Sequence, residues 1–312
     1  MPNTLAHIGI QVVGSRALLR DADLRWVLVG CVVPDLPWIA NRALLAAGVE
    51  IDVFVIRPYW IAQASWFGCL WLCAALAALS SRPRRVFGLL AANSFAHLLL
   101  DALQTKWGNG VHLFAPFSWE TWNAGLFWPE SGTTVALTVL GLAVAVFAAG
   151  SAWRGHARFH SPSARGWATA TVLFAVYCTY PILAAPAVLS ADAHSLATLQ
   201  SPELRPGRQA GFDRVWLEVD ADGARLHVLG GEVLEASGNV AARSGPVSAR
   251  GRFRDARVIV LDEVHAHGSF PRAMASYVGL SCIAGILLVG YVGSVRGRRS
   301  DAGAGATPDV ER

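Results

Sequence analysis

The chain has 312 residues, of which 54% are hydrophobic and 15% charged, with a mean hydropathy of +0.40. Roughly a quarter of an average soluble domain is charged, so this composition excludes an ordinary soluble globule and points to the membrane class. A net charge of +4 would suit a nucleic acid, but the arginines cluster beside apolar runs, where they act as orientation signals, and no nucleic-acid partner is expected.

Apolar runs occupy residues 4–19, 24–47, 61–80, 86–103, 133–153, 167–189 and 273–295. The first falls short of the roughly 20 residues that cross a bilayer. It turns into the second through Arg20, Asp21, Ala22 and Asp23. It therefore reads as a short N-terminal arm, half-buried in the membrane. No basic stretch precedes it, so no cleavable signal peptide is expected. The remaining runs read as about six hydrophobic membrane segments. The second is interrupted at Pro34-Asp35-Leu36-Pro37, where two prolines must break or kink the helix.

Arginines flank these runs at 16, 20 and 25, at 82, 84 and 85, at 154, 158 and 165, and at 296, 298 and 299. The positive-inside rule puts all four clusters, and with them the C-terminus, in the cytoplasm. Residues 48–60, 104–132 and 190–272 then face outward. Within 104–132, Trp107, Phe114, Phe117, Trp119, Trp122, Phe127 and Trp128 alternate with glycines and prolines. Such rings favour the headgroup layer, and the segment reads either as an anchoring loop in the outer interface or as a lid over a site.

From Gly211 the period changes to two. Val215, Leu217 and Val219 alternate with Trp216, Glu218 and Asp220, and Gly-rich turns separate further strands near 225–229, 232–236, 247–252 and 257–261. A small all-β domain over 208–270 follows, an OB-like barrel or a sandwich. It lacks the basic-aromatic stripe of a single-strand binder and reads as a structural module or one that binds a protein of the cell envelope. The fold class is thus an α-helical integral membrane domain over 1–190, an inserted extracytoplasmic β domain, a C-terminal transmembrane helix over 273–295, and a disordered tail over 296–312. All five cysteines (31, 69, 73, 178 and 282) sit in apolar runs, so none is expected to form an outward disulfide.

Ionisable groups inside membrane segments are costly and mark functional candidates. His7 lies in the arm, Asp35 in the proline break, and His97 and Asp101 stand at i and i+4 on one helix face. At about 1.5 Å per residue from the basic ends, His7 rises about 13 Å, Asp35 about 15 Å, His97 about 18 Å and Asp101 about 24 Å. Two imidazoles and two carboxylates at similar depth suit a divalent metal, zinc or manganese, which would activate a water. In the plainer alternative each histidine pairs with a carboxylate and locks the helices together.

The ordered set of Asn3-Thr4-Leu5-Ala6-His7, then Gly30-Cys31-Val32-Val33-Pro34-Asp35, then His97-Leu98-Leu99-Leu100-Asp101, then Ala115-Pro116-Phe117 resembles a bacterial family of membrane-bound metal-dependent hydrolases. Some of its members are described as LexA-binding inner-membrane proteins. The resemblance covers roughly residues 1–130. It implies a multi-pass protein of the inner (cytoplasmic) membrane with a divalent-metal site and hydrolase activity. The family's His-Arg-Gly-x-Thr-His-Ser motif is missing: the corresponding stretch, residues 57–65, holds no histidine, and only Ser65 matches. His112, Asp52, Glu120 and Glu130 are the outer-loop groups that could substitute.

The leading expectation is a metal-dependent hydrolase acting at the outer interface on a lipid or other phosphoester. His7, Asp35, His97 and Asp101 would hold the metal, and the last three would act in catalysis. The alternative is a non-catalytic membrane protein whose residues 208–270 bind an envelope partner. A transporter ranks third, because the hydropathy shows no inverted repeat.

Overall fold

The computed structural model describes residues 3–154, 161–268 and 272–304, without the side chains of 151–154 and 293–304. Arg158, one of the orientation arginines, lies outside the described residues, as do the side chains of Arg154, Arg296, Arg298 and Arg299.

Helix α1 (Thr4–Leu18) starts where the side chain of Asn3 accepts from Ala6 N at 3.1 Å. After a tight turn, Asp23 caps α2 (Leu24–Gly30). Pro34 and Pro37 then replace regular helix with a 3-10 turn over Val33–Asp35, followed by α3 (Leu36–Ala46). α4 (Val53–Ala64) and α5 (Trp66–Ala78) meet at Ser65 with a 66° bend. There the Ser65 hydroxyl donates to Ala62 O and accepts from Gly68 N. α6 (Pro83–Ala102), α7 (Gly132–Arg154) and α8 (Ala164–Ser190) follow, then the short α9 (Leu196–Gln200).

Four helical stretches among the described residues are long and apolar enough to cross a membrane: Leu24–Ala46, Gly132–Gly150, Ala164–Ser190 and Arg272–Val292. The bent α4–α5 pair makes a fifth if it is one span. Six spans are therefore not supported. The 86–103 run fails because α6 buries a polar face of Asn93, Ser94, His97 and Asp101 instead of carrying apolar residues all round. These candidate spans expose apolar side chains, among them Val139, Phe147, Val172 and Leu183.

Five strands, β1 (Gln209–Asp220), β2 (Gly223–His227), β3 (Val233–Gly238), β4 (Gly245–Phe253) and β5 (Val258–Ala266), close into a barrel in the order β1-β2-β3-β5-β4. All pairs are antiparallel except β3 with β5. The barrel form excludes the sandwich. Phe212, Leu217, Leu226, Leu234, Ile259 and Leu261 fill its core, and the period of two places Trp216 outside, half exposed.

α10 (Arg272–Ala304) returns from the barrel to pack on α1 and α7. Residues 296–304, expected in a disordered tail, continue this helix to Ala304; the stretch contains no proline to stop it. Residues 305–312 lie outside the described residues.

The packing of α1 positions the site. Its N-terminal half is buried against α7, α10, α2 and α6. A Cβ on Gly9 would come within 2.9 Å of Gly141 Cα, and one on Gly141 would overlap the Leu5 carbonyl. Only glycines let the two backbones approach so closely.

Candidate metal centre

α1 supplies His7, the 3-10 turn supplies Asp35, and α6 supplies His97 and Asp101. All four converge. His7 Nε2 lies 3.3 Å from Asp101 Oδ1, and His97 Nε2 lies 3.7 Å from Asp35 Oδ1 and 3.9 Å from Asp101 Oδ2. The two imidazoles stack with centroids 3.7 Å apart and planes 8° apart. His7 and His97 are fully buried and Asp101 nearly so. Ligand atoms of His7, His97 and Asp101 all lie within 4.8 Å of one another.

Four atoms at this centre, His7 Nε2, His97 Nε2, Asp35 Oδ1 and Asp101 Oδ1, are buried without a hydrogen-bond partner among the described residues. Orphaned buried polar atoms cost about 1–3 kcal/mol each, so the ligand atoms of His7, His97 and Asp101, all within reach of one another, fit a cation, with Asp35 beside His97. The His97 tautomer agrees: its Nδ1 lies 2.6 Å from Cys31 O, an acceptor only, so Nδ1 carries the proton and Nε2 keeps its lone pair. His7 Nδ1 faces the Gln11 side-chain nitrogen at 3.4 Å. With the amide so placed, His7 Nε2–H points at Asp101. With the amide turned over, Nδ1 donates to Oε1 and Nε2 is free to ligate.

The outer-loop substitutes fall elsewhere. Asp52 caps α4 and Glu120 is exposed. His112 Nδ1 lies 2.9 Å from Trp119 O, and burial pulls the ring down to about 4. Glu130 joins a second group with His265 and His267 at the junction of loop and barrel. Its Oε1 lies 2.5 Å from His265 Nε2 and 3.1 Å from His267 Nδ1, while Oε2 accepts from Arg214 at 3.2 Å. Burial pushes the Glu130 carboxyl up, but its histidine partners outweigh that and hold it below the usual range. This group was not foreseen from the sequence, although His265-x-His267 in extended chain at the end of β5 puts both rings on one face.

The aromatic loop is mainly a seat for the barrel. Trp119 is buried, Trp128 stacks on His265 at 3.7 Å, and Trp107 carries Arg250 over its ring. Phe117, 96% exposed, and Phe114 project from it uncovered. Asn109 donates to Asp213 of β1 at 2.8 Å, and Gly108 packs so closely on Gly211 that a Cβ would overlap that residue's carbonyl.

The fold and this centre define a class: a helical protein with membrane-compatible spans, a buried His/Asp constellation and a barrel seated above it. Comparison with protein-family models, with curated proteins and with solved structures gives no match. The geometry therefore carries the functional reading.

Proposed function

We propose that this protein is a membrane-embedded, metal-dependent hydrolase whose ion is held by His7, His97 and Asp101, with Asp35 as the fourth ligand or its neighbour. The observation that carries the reading is the buried cluster of His7, His97 and Asp101 ligand atoms within 4.8 Å of one another, with no hydrogen bond formed at His7 Nε2, His97 Nε2 or Asp101 Oδ1 among the described residues. The two-nitrogen, two-oxygen donor set suits zinc or manganese. When bound, such an ion supplies Lewis acidity and lowers the pKa of a coordinated water.

The chain's own groups do the rest. The Cys31 carbonyl fixes the His97 ring, Lys106 Nζ lies 3.8 Å from Asp101 Oδ2 and balances that carboxylate, and Asp35 is placed beside His97 to hold a proton. The resemblance over residues 1–130 supports the same reaction class, and the missing histidines at 57–65 agree with a single ion rather than a cluster.

The protein resides in the inner membrane, with the basic loops inside. Arg85 pairs with Asp21 at 2.5 Å at one end of α6, and Asp101 reaches Lys106 beneath the barrel at the other, about 24 Å further along the helix. The separation of the basic end from the barrel along α6 supports an extracytoplasmic barrel. Its strand order and parallel β3–β5 pair are those of an OB-like barrel.

Elemental analysis of the detergent-purified protein tests the reading. About one divalent ion per chain is expected in the wild type and none in His97→Ala/Asp101→Ala; equal metal in both would sink it. A second reading, an envelope partner bound by the barrel, is favoured by exposed Trp216, and Trp216→Ala with an unchanged set of co-purifying proteins would exclude that residue from such a role.

A further inference from the structure

The end of β5 and the start of α7 meet through three side chains. His265 lies on β5, and the extended chain continues one residue past the strand, where His267 N donates to Pro246 O at 3.0 Å. Alternation then puts His265 and His267 on one face. Glu130 stands two residues before α7, in a turn where Ser131 N donates to Trp128 O at 3.0 Å. Trp128 stacks on His265 and meets His267 edge-on, so one aromatic wall holds both rings.

Glu130 Oε1 lies 2.5 Å from His265 Nε2 and 3.1 Å from His267 Nδ1, and one ligand atom from each residue lies within 4.8 Å of the other two. Two imidazole nitrogens and a carboxylate oxygen are a donor set that zinc takes, with the fourth position left to water. Ligands bound at zinc's usual lengths to a tetrahedral ion stand about 3.3 Å apart. The His267 contact is close to that spacing. His265, the most exposed of the three side chains at 28%, has room to open to it.

Atoms of Glu130 and His267 not aimed at the common point are held by other groups. Arg214 donates to Glu130 Oε2 at 3.2 Å and leaves Oε1 as the ligand oxygen. His267 Nε2 lies 2.8 Å from Ser248 Oγ, and that hydroxyl lies 3.2 Å from Asp213 Oδ1. With an ion bound, His267 Nε2–H donates to Ser248, Ser248 donates to Asp213, and the Nδ1 lone pair turns to the metal. Such carboxylate-backed hydrogen bonding orients ligand histidines generally. A bulge between Phe212 and Val215 gives Arg214 a left-handed φ of 56° and lets its own N–H donate to Ser248 Oγ at 3.3 Å. Burial, then Arg214, holds the His267 ring below its usual value, which leaves a nitrogen lone pair available at neutral pH.

We propose that Glu130, His265 and His267 form a second, exchangeable zinc site that ties the start of α7 to the end of β5 and so fixes the barrel on the helical domain. It shares no ligand with the centre at His7, His97 and Asp101 and does not rest on the reaction proposed above. Its three protein ligands are partly open to solvent at His265 and Glu130, so the ion is lost in purification and restored by added zinc. α10, which follows β5, packs on α7, so the tie lies where loop, barrel and both helices meet.

The test titrates zinc by calorimetry into the full chain as purified in detergent, with metal content measured before and after. The wild type is expected to take up one equivalent beyond the metal it retains, and His97→Ala/Asp101→Ala is expected to take up the same equivalent with the same affinity. His265→Ala and His267→Ala, each made in both backgrounds, are expected to weaken that uptake at least tenfold. Ser248→Ala is expected to weaken it less. His227→Ala, which removes a barrel histidine paired with Glu218, is expected to bind like the wild type. Hydrogen exchange near Leu226 checks that the barrel core is folded in each variant.

No added equivalent in the wild type, or one that persists in both His265→Ala and His267→Ala, overturns the site and leaves the buried centre untouched. Uptake lost in His97→Ala/Asp101→Ala but kept in His265→Ala assigns the ion to the buried centre and overturns the site equally. Added zinc is also expected to slow hydrogen exchange over 104–131 and at the end of β5 in the wild type, and not in His265→Ala. Uptake without that slowing overturns the tie.

Discussion

The imidazole of His7 lies flat on that of His97, 3.7 Å between centroids, although 90 residues separate them in the chain. Two imidazolium rings so stacked would repel, so at most one is charged. The contact depends on how deeply α1 seats against α7. In Gly141→Leu the new side chain meets the Leu5 carbonyl and pushes α1 outward. Metal content is expected to fall with all four ligand side chains intact. Gly14→Ala, which meets nothing within 4 Å, is expected to load metal like the wild type.

Arg205 ties the last helical turns to the barrel. Its fully buried guanidinium donates to both Glu232 oxygens, at 2.6 and 2.7 Å, and to the carbonyls of Thr198, Leu199 and Ala256. Glu232 is a third exposed, so the cost of losing Arg205 falls on the three carbonyls left without a donor, about 3 kcal/mol or more in all. Arg205→Ala is expected to destabilise the barrel by about that amount, seen as an earlier urea midpoint in Trp216 fluorescence. A shift under 1 kcal/mol would mean that the cluster carries little stability.

Acid should weaken the protein through His112. Burial lowers its folded-state value from 6.5 to about 4, so between those limits the unfolded chain binds a proton that the folded chain refuses. Its contribution to stability is complete above pH 6.5 and is lost as pH falls to about 4. The loss is roughly 3 kcal/mol at 1.36 kcal/mol per unit. Denaturant titrations across that range are expected to show the slope in the wild type and a shallower one in His112→Gln.

Glu130 adds a dependence of the same sign. Its folded-state value is depressed, so its contribution is present above the ordinary carboxylate range and disappears as pH falls through the lowered value. Glu130→Gln breaks the pairs with His265 and Arg214. Hydrogen exchange over 104–131 and at the end of β5 is expected to accelerate, while the barrel core near Leu226 stays protected.

The site was partly legible before folding because some of its spacing is local. His97 and Asp101 share a helix face by the four-residue rule, and Pro34 and Pro37 announce the break that exposes Asp35. The barrel was legible for the same reason: a period of two over short strands depends on neighbours along the chain. The span count was not. Whether an 18-residue run faces lipid depends on which face its neighbours cover, and α6 turns its polar face inward.

By itself, then, the sequence determined the membrane-compatible composition, the proline break, the His/Asp pair of α6 and the alternating strands, because each follows from rules acting within a few residues. Only the tertiary structure decided that His7 stacks on His97, that Glu130 meets His265 and His267, and that Lys106 reaches Asp101. All but the last of these neighbours come from distant parts of the chain. Their meeting depends on close glycine contacts, on closure of the barrel and on the seat the 104–131 loop provides, none of which has a period to read.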